Sequence, residues 1–383
     1  DRFVRAYMKR YAYKNAESAH FWREIETASG KPIRALAEAW LERPGVPVVE
    51  MGMTNPWSRT LNFEQKRFSA FGHQDATRWP IPLTIRYRLK GEKKARVHRM
   101  LLDPAESGAF VKLPGKGDLL WAYPNAGELG YYRLSFGHAA LNSLLNYKGE
   151  LTPVERSGLL NHLWAQTRAG VMPVDEFMAA LAAFKGDGPR LILEDAAGYL
   201  KTLRMELASN DEQKARLSAF AADFFAPAYA RLGWDKKPRE SADATLTRPT
   251  VLNILALLAP AAVESGVTPR LEAYLSDPSQ LDASLQAVVL TAAARRNDPA
   301  LFDAYRERLA APRTPEQKEL MLRALAEFTA PELLERYLAM TLSTEIRAQD
   351  AWKPFVWLLY NPASRGRAWE FVKANWATLV AKV

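Results

Sequence analysis

The sequence predicts a mixed but mainly α-helical chain: a small β-sandwich followed by an α-helical superhelix of stacked helical hairpins. Three observations carry this. Residues 46–137 hold short stretches that alternate apolar and polar, separated by turn residues. From His138 onward the apolar period changes to that of a helix and stays so. Beyond Pro260, breaks fall at Asp277-Pro278, Asp298-Pro299, Thr314-Pro315 and Ala330-Pro331. The last three are evenly spaced by about 16 residues, so a helix pair recurs every ~32, as in HEAT-like solenoids.

Residues 1–45 read as helices that deliver the chain into a strand. Phe3, Tyr7 and Tyr11 repeat at helical spacing with no capping residue ahead of them, so the sequence opens inside a helix and reads as a fragment. Trp22, Ile25 and Ala28 share one face of a second helix, which Gly30 closes. Lys31-Pro32 starts a third, with Ile33, Leu36, Ala37, Trp40 and Leu41 as its half-buried stripe. Val46-Pro47-Val48-Val49 is then β-branched and extended.

Within 46–137, Ile81, Leu83, Ile85, Tyr87 and Leu89 alternate with Pro82, Thr84, Arg86, Arg88 and Lys90, giving one core face and one wet face. Gly91-Glu92 turns the chain back, and Asp103-Pro104, Ser107-Gly108, Leu113-Pro114-Gly115 and Pro124-Asn125-Ala126-Gly127 separate the later strands. Five to seven short strands at this spacing predict a sandwich. Residues 138–383 form the helical part. Thr152-Pro153-Val154-Glu155 is a capping box, Gly170 ends its helix, and Phe177, Leu181 and Phe184 stripe the next. Leu191–Leu207 comes next as a helix, then Asn210 caps one that Pro227 should kink, and a polar loop runs from Gly233 to Thr245. Trp352, Trp357, Trp369 and Trp376 fall at helical spacings and read as core.

At 383 residues and 48% apolar, the chain can bury a large core. The longest apolar run, VLNILALLAPAA at 251–262, is too short and polar to span a membrane. A soluble protein of cytoplasm or periplasm is expected. Zero cysteines exclude disulfides, thiolate metal sites and a cysteine nucleophile. The net charge is +9, of which +6 lies between Arg86 and Arg99 (Arg86, Arg88, Lys90, Lys93, Lys94, Arg96 and Arg99 against Glu92). RNA binding through this hairpin competes with the plainer reading of a solvated strand face.

Catalytic patterns are missing. A thermolysin-like zinc site needs two histidines a helical turn apart, whereas His20, His73, His98, His138 and His162 are never closer than 24 positions. His20 and Glu24 are one turn apart and read as a surface contact. There is no nucleophile elbow, Walker loop or dinucleotide fingerprint, and Gly115-Lys116-Gly117-Asp118 reads as a turn. No catalytic or metal residue is assigned, and substrate-binding residues are left unknown.

Five segments, taken together and in order, resemble M1 zinc aminopeptidases of the puromycin-sensitive and antigen-trimming type. They are ASGKPIRALAEAWLERPGVPVV (28–49), NFEQKRF with RWPIPL (62–68 and 78–83), GYYRLSF (130–136), LGWDKKPRES (232–241) and NPASRGRAWEFVKANW (361–376). The resemblance covers essentially the whole chain but belongs to the family's non-catalytic half. It implies a C-terminal fragment: 1–45 as the tail of the catalytic domain, 46–137 as the sandwich and 138–383 as the helical domain, truncated at its end. It further implies zinc in the parent enzyme and none in this chain. The helical part would cap the active site and form the chamber that peptide substrates enter. The catalytic domain would be its partner, and Phe3, Tyr7 and Tyr11, with Trp22 and Trp40, an apolar face open to self-association. The runner-up is a free-standing α-solenoid scaffold for a partner protein.

Overall fold

The computed structural model describes residues 2–382 apart from positions 54, 56, 71, 73, 74, 106, 107 and 313, so His73 and Ser107 lie outside the described residues. The chain forms two compact units, Asp1–Ala183 and Phe184–Val383.

In the first unit, helices Arg2–Tyr11, Ser18–Ser29 and Ile33–Glu42 lead, among the described residues, into seven strands. These are β1 (Pro47–Met53), β2 (Thr60–Arg67), β3 (Ile81–Leu89), β4 (Arg96–Leu102), β5 (Gly108–Lys112), β6 (Leu119–Tyr123) and β7 (Arg133–Phe136). They make two sheets, β5-β2-β1-β7 and β4-β3-β6. Neighbours pair antiparallel except β1 and β7, which run parallel. Their long separation in sequence permits that, since a parallel pair needs a crossover rather than a hairpin. Ile81, Leu83, Ile85, Tyr87 and Leu89 are all buried, as their alternation predicts.

Several local expectations change. Gly30 caps its helix at φ 67°, a conformation that suits glycine, but Pro32 is the N-cap of the next helix rather than inside it. The Phe3–Tyr7–Tyr11 stripe is not open: Phe3 and Tyr7 lie 5.0 and 5.4 Å from the Phe21 ring, and Tyr11 stacks on His20 at 5.0 Å. Trp40 is likewise engaged, donating to the Pro80 carbonyl at 3.0 Å. Val4, Met8, Tyr13 and Leu41 are exposed instead, Leu41 at 68%. His20 does not pair with Glu24. Its Nδ1 accepts from the Glu17 amide at 3.1 Å, while Glu24 holds Arg10 at 2.5 Å.

The second face of β3 is only partly wet: Pro82 and Lys90 are exposed, while Thr84, Arg86 and Arg88 are half-buried. Helix Pro153–Arg168 starts against it, and its capping-box residue Glu155, 1% exposed, serves two ends at once. It accepts from the Thr152 amide at 2.8 Å and from Arg86 Nε at 2.8 Å. Arg86 also donates to the Glu150 carbonyl at 2.9 Å and lies over the Trp121 ring at 4.9 Å. Arg88 pairs with Glu150 at 2.5 Å. One turn along the same helix, the Glu128 carboxyl occupies the space over Gly158, where an added Cβ would come within 2.2 Å of it. A further turn on, His162 Nε2 approaches Glu128 at 3.3 Å. The alternation on β3 therefore separates an apolar core from a half-buried polar face, with Pro82 and Lys90 at its ends exposed.

The second unit is helical. Helix Arg190–Thr202 continues into a π turn, Leu203–Leu207, rather than running uninterrupted to Leu207. Asn210 caps Asp211–Leu232 through Gln213, and the helix runs on through Pro227. Ser241 caps Ala242–Leu258, so the polar loop ends earlier than expected. After Glu264–Ser276, the helices Ala283–Ala294, Pro299–Ala310, Pro315–Leu325 and Pro331–Leu342 have N-caps at Asp282, Asp298, Thr314 and Ala330, each 16 residues after the last. Equivalent bonds recur at twice that step. Tyr305 donates to the Leu290 carbonyl at 3.1 Å, and Tyr337 donates to the Leu322 carbonyl at 2.6 Å. Lys353–Tyr360, Arg365–Ala374 and Trp376–Lys382 close the described chain. Three of the four tryptophans expected in the core are not there: Trp352, Trp369 and Trp376 are 57%, 51% and 63% exposed, while Trp357 is half-buried. An eight-residue helix that buries Pro354 and Leu358 turns the opposite stripe, Trp352, Val356 and Tyr360, outward.

The buried pair gives a stability prediction. Glu155→Gln leaves the Arg86 guanidinium without its counter-charge and should cost about 3–5 kcal/mol in urea unfolding. Burial pushes the Glu155 carboxyl up, but Arg86 and the Thr152 and Gly127 amides outweigh it and hold it below 4.5. Its stabilisation is therefore complete above that value and is lost as pH falls through the lowered one. The variant should lack that part of the acid transition.

Candidate functional site

Every second helix of the second unit packs on the next of its kind: Arg190–Thr202 on Ala242–Leu258, then Ala283–Ala294, Pro315–Leu325 and Lys353–Tyr360. Asp211–Leu232, Glu264–Ser276, Pro299–Ala310 and Arg365–Ala374 pack against these inner ones, and Pro331–Leu342 reaches them through Tyr337. Side chains that the inner helices do not bury in that stacking converge on one cavity of about 840 Å³. Its lining mixes Ile254, Leu257, Val356 and Trp357 with the polar Thr250 and Asn253. A cavity of this size, mostly preformed and part apolar, is of the kind that takes a ligand.

Its charge is the distinctive feature. Lys201, Arg204, Arg295 and Arg323 line it against Glu194 and Glu327. Both carboxylates are already engaged: Glu194 with Arg190 at 2.9 Å, and Glu327 with Arg295 at 2.9 Å. Arg295 also donates to the Ala256 carbonyl at 3.2 Å. Among the described residues, Lys201, Arg204 and Arg323 have no ion-pair partner, so the cavity is left with excess positive charge. Lys201 Nζ lies 5.3 Å over the Tyr360 ring. It still meets solvent, yet burial by the walls pushes its pKa down, the Arg323 charge pushes it further, and Glu327 opposes.

The residues singled out from the sequence lie elsewhere. Arg86, Arg88 and Arg96 of the basic hairpin are committed to Glu155, Glu150 and Glu92, leaving a thin phosphate footprint. Among the described residues no three of His, Cys, Asp and Glu gather where a metal ion could sit. The LGWDKKPRES segment serves the fold. Trp234 is buried with its indole edge against Gly266, Arg270 covers its face at 4.9 Å, and Glu240 pairs with the buried Arg248. Asn361, Pro362 and Ala363 of the NPASRG segment form part of the cavity wall. Lys201 and Arg204, one turn apart, and Arg323, more than a hundred residues on, form no recognisable motif in the sequence. The one signal was the 32-residue register, which puts Thr291 and Arg323 at equivalent inward positions.

Comparison with known proteins agrees with this architecture. Residues 121–383 match the family described as the ERAP1-like C-terminal domain. Aminopeptidase M1-A of Oryza sativa subsp. japonica is 26% identical over 97% of this chain and 42% of its own length. Aminopeptidase N of Lactococcus lactis subsp. lactis is 26% identical over 98% of this chain and 44% of its own. Tricorn protease-interacting factor F2 of Thermoplasma volcanium is 25% identical over 94% and 42%. The chain thus spans less than half the length of these relatives. It belongs to the ERAP1-like C-terminal domain family and corresponds to a C-terminal part of an M1 aminopeptidase.

Proposed function

We propose that this chain serves an M1 aminopeptidase as its peptide-holding part, capping the active site and forming the chamber through which peptides reach it. Residues 1–45 would complete the catalytic domain, 46–137 act as a rigid spacer, and 138–383 supply the chamber wall. The observation that carries the reading is the cavity built by successive inner helices. Its partly apolar wall bears three cations that, among the described residues, are free of ion pairs. Such a surface can grip a peptide's side chains through the apolar part and its acidic groups through Lys201, Arg204 and Arg323. Exposed Val4, Met8 and Leu41 offer apolar contact to the catalytic domain. A second reading, a scaffold for another protein, draws on exposed Trp352, Trp369 and Trp376.

Two measurements test the proposal. Fluorescence anisotropy with labelled peptides of one length, acidic or basic, should show tighter binding of the acidic one. That preference should vanish in an Arg204→Gln/Arg323→Gln variant and weaken with salt. Equal binding of both peptides, or of neither, contradicts it. The second is elemental analysis after chelation and dialysis, which should find no stoichiometric zinc. One tightly held zinc per chain, with cleavage of alanyl or leucyl substrates, would overturn the division of labour.

A further inference from the structure

The cavity holds a chemical feature that peptide retention alone does not use. Lys201 projects an amine into a space already positive from Arg204, Arg295 and Arg323, and among the described residues no carboxylate pairs with it. Its Nζ lies over the Tyr360 ring, 5.3 Å from the centroid. Lys93 and Lys94, exposed on the basic hairpin, are not among the residues that line the cavity. Lys201 differs in two ways that act together. Its surroundings disfavour the ammonium, since burial, then Arg323, then Arg295 all oppose the charge and only Glu327 favours it. The arginines beside it attract a small dianion to the same place.

We propose that Lys201 is a site of acylation by acyl phosphates. The phosphate of the donor sits against Arg204 and Arg323, which brings the carbonyl carbon to the amine. The neutral nitrogen attacks that carbon, the bond from carbonyl carbon to bridging oxygen breaks, inorganic phosphate leaves, and the amine proton passes to solvent. The product is an uncharged amide, and no oxidant or reductant is needed. Arg323 has two effects, on donor binding and on the fraction of neutral amine, and both run in the same direction. The modification removes one of the three cations that lack an ion-pair partner among the described residues. On the peptide-holding reading, it would therefore weaken retention of acidic peptides.

The test uses the whole chain and acetyl phosphate, with peptide mapping by mass spectrometry over a time course. Lys201 should be acetylated several-fold faster than Lys93 and Lys94. Added inorganic phosphate should slow it selectively, and Arg323→Gln should slow Lys201 while leaving Lys93 and Lys94 unchanged. Circular dichroism of the variant checks that it is folded. Acetylation of Lys201 at the rate of Lys93 and Lys94, or an Arg323→Gln rate equal to that of the original chain, overturns the proposal. Peptide anisotropy on the acetylated chain separates the two readings. Selective acetylation that lowers acidic-peptide affinity supports both. Selective acetylation of a chain that binds no peptide supports the modification and contradicts peptide holding.

Discussion

A helix pair that is apolar on both sides of its stack cannot bury itself, and that constraint shapes the second unit. Each pair must meet the next in a fixed register, and the 32-residue step is where the chain records it. The same side-chain-to-carbonyl bond forms from Tyr305 and again from Tyr337. Asn297, at φ 58°, accepts from the amides of Thr329 and Ala330 at 2.7 and 2.8 Å, closing the start of the following helix. Arg295 reaches Glu327 one step on, so a polar contact marks the register that apolar packing alone would leave loose. Because inner helices stack on inner helices, whatever they do not bury must share one space. The cavity is a consequence of the repeat.

The first unit solves a different problem. A strand face that is half covered would normally be apolar where it is covered, yet β3 carries Arg86 and Arg88 there. Arg86 and Glu155 are tolerated there because each finds further partners: the Glu150 carbonyl and Trp121 ring for one, backbone amides for the other. Such a pair adds little net stability over an apolar replacement, but it fixes geometry. Glu155 caps its helix and holds the strand with the same carboxylate, so the start of that helix has only one satisfied position.

Much of this architecture was legible in the sequence. The alternation from Ile81 to Leu89, the Thr152–Glu155 capping box and the Pro-marked helix starts are local signals, and local signals survive into the fold. What was not legible depended on the identity of the neighbour. Alternation on β3 reports two faces but not that a helix covers the second. Phe3, Tyr7 and Tyr11 read as an open stripe until Phe21 and His20 are seen against them. Trp352, Trp369 and Trp376 have helical spacing, which says that they share an orientation and not that anything packs on it. The cavity was least legible of all, since Arg323 joins Lys201 and Arg204 from a helix more than a hundred residues away, with no motif among them.

The central claim is that the inner helices form one peptide-binding wall. Amide hydrogen exchange with and without an acidic peptide tests it most directly, because protection is read segment by segment. The account predicts added protection in Arg190–Thr202, Ala242–Leu258, Ala283–Ala294, Pro315–Leu325 and Lys353–Tyr360, with the intervening helices unchanged. Protection confined to the 86–99 hairpin or to the intervening helices would contradict it.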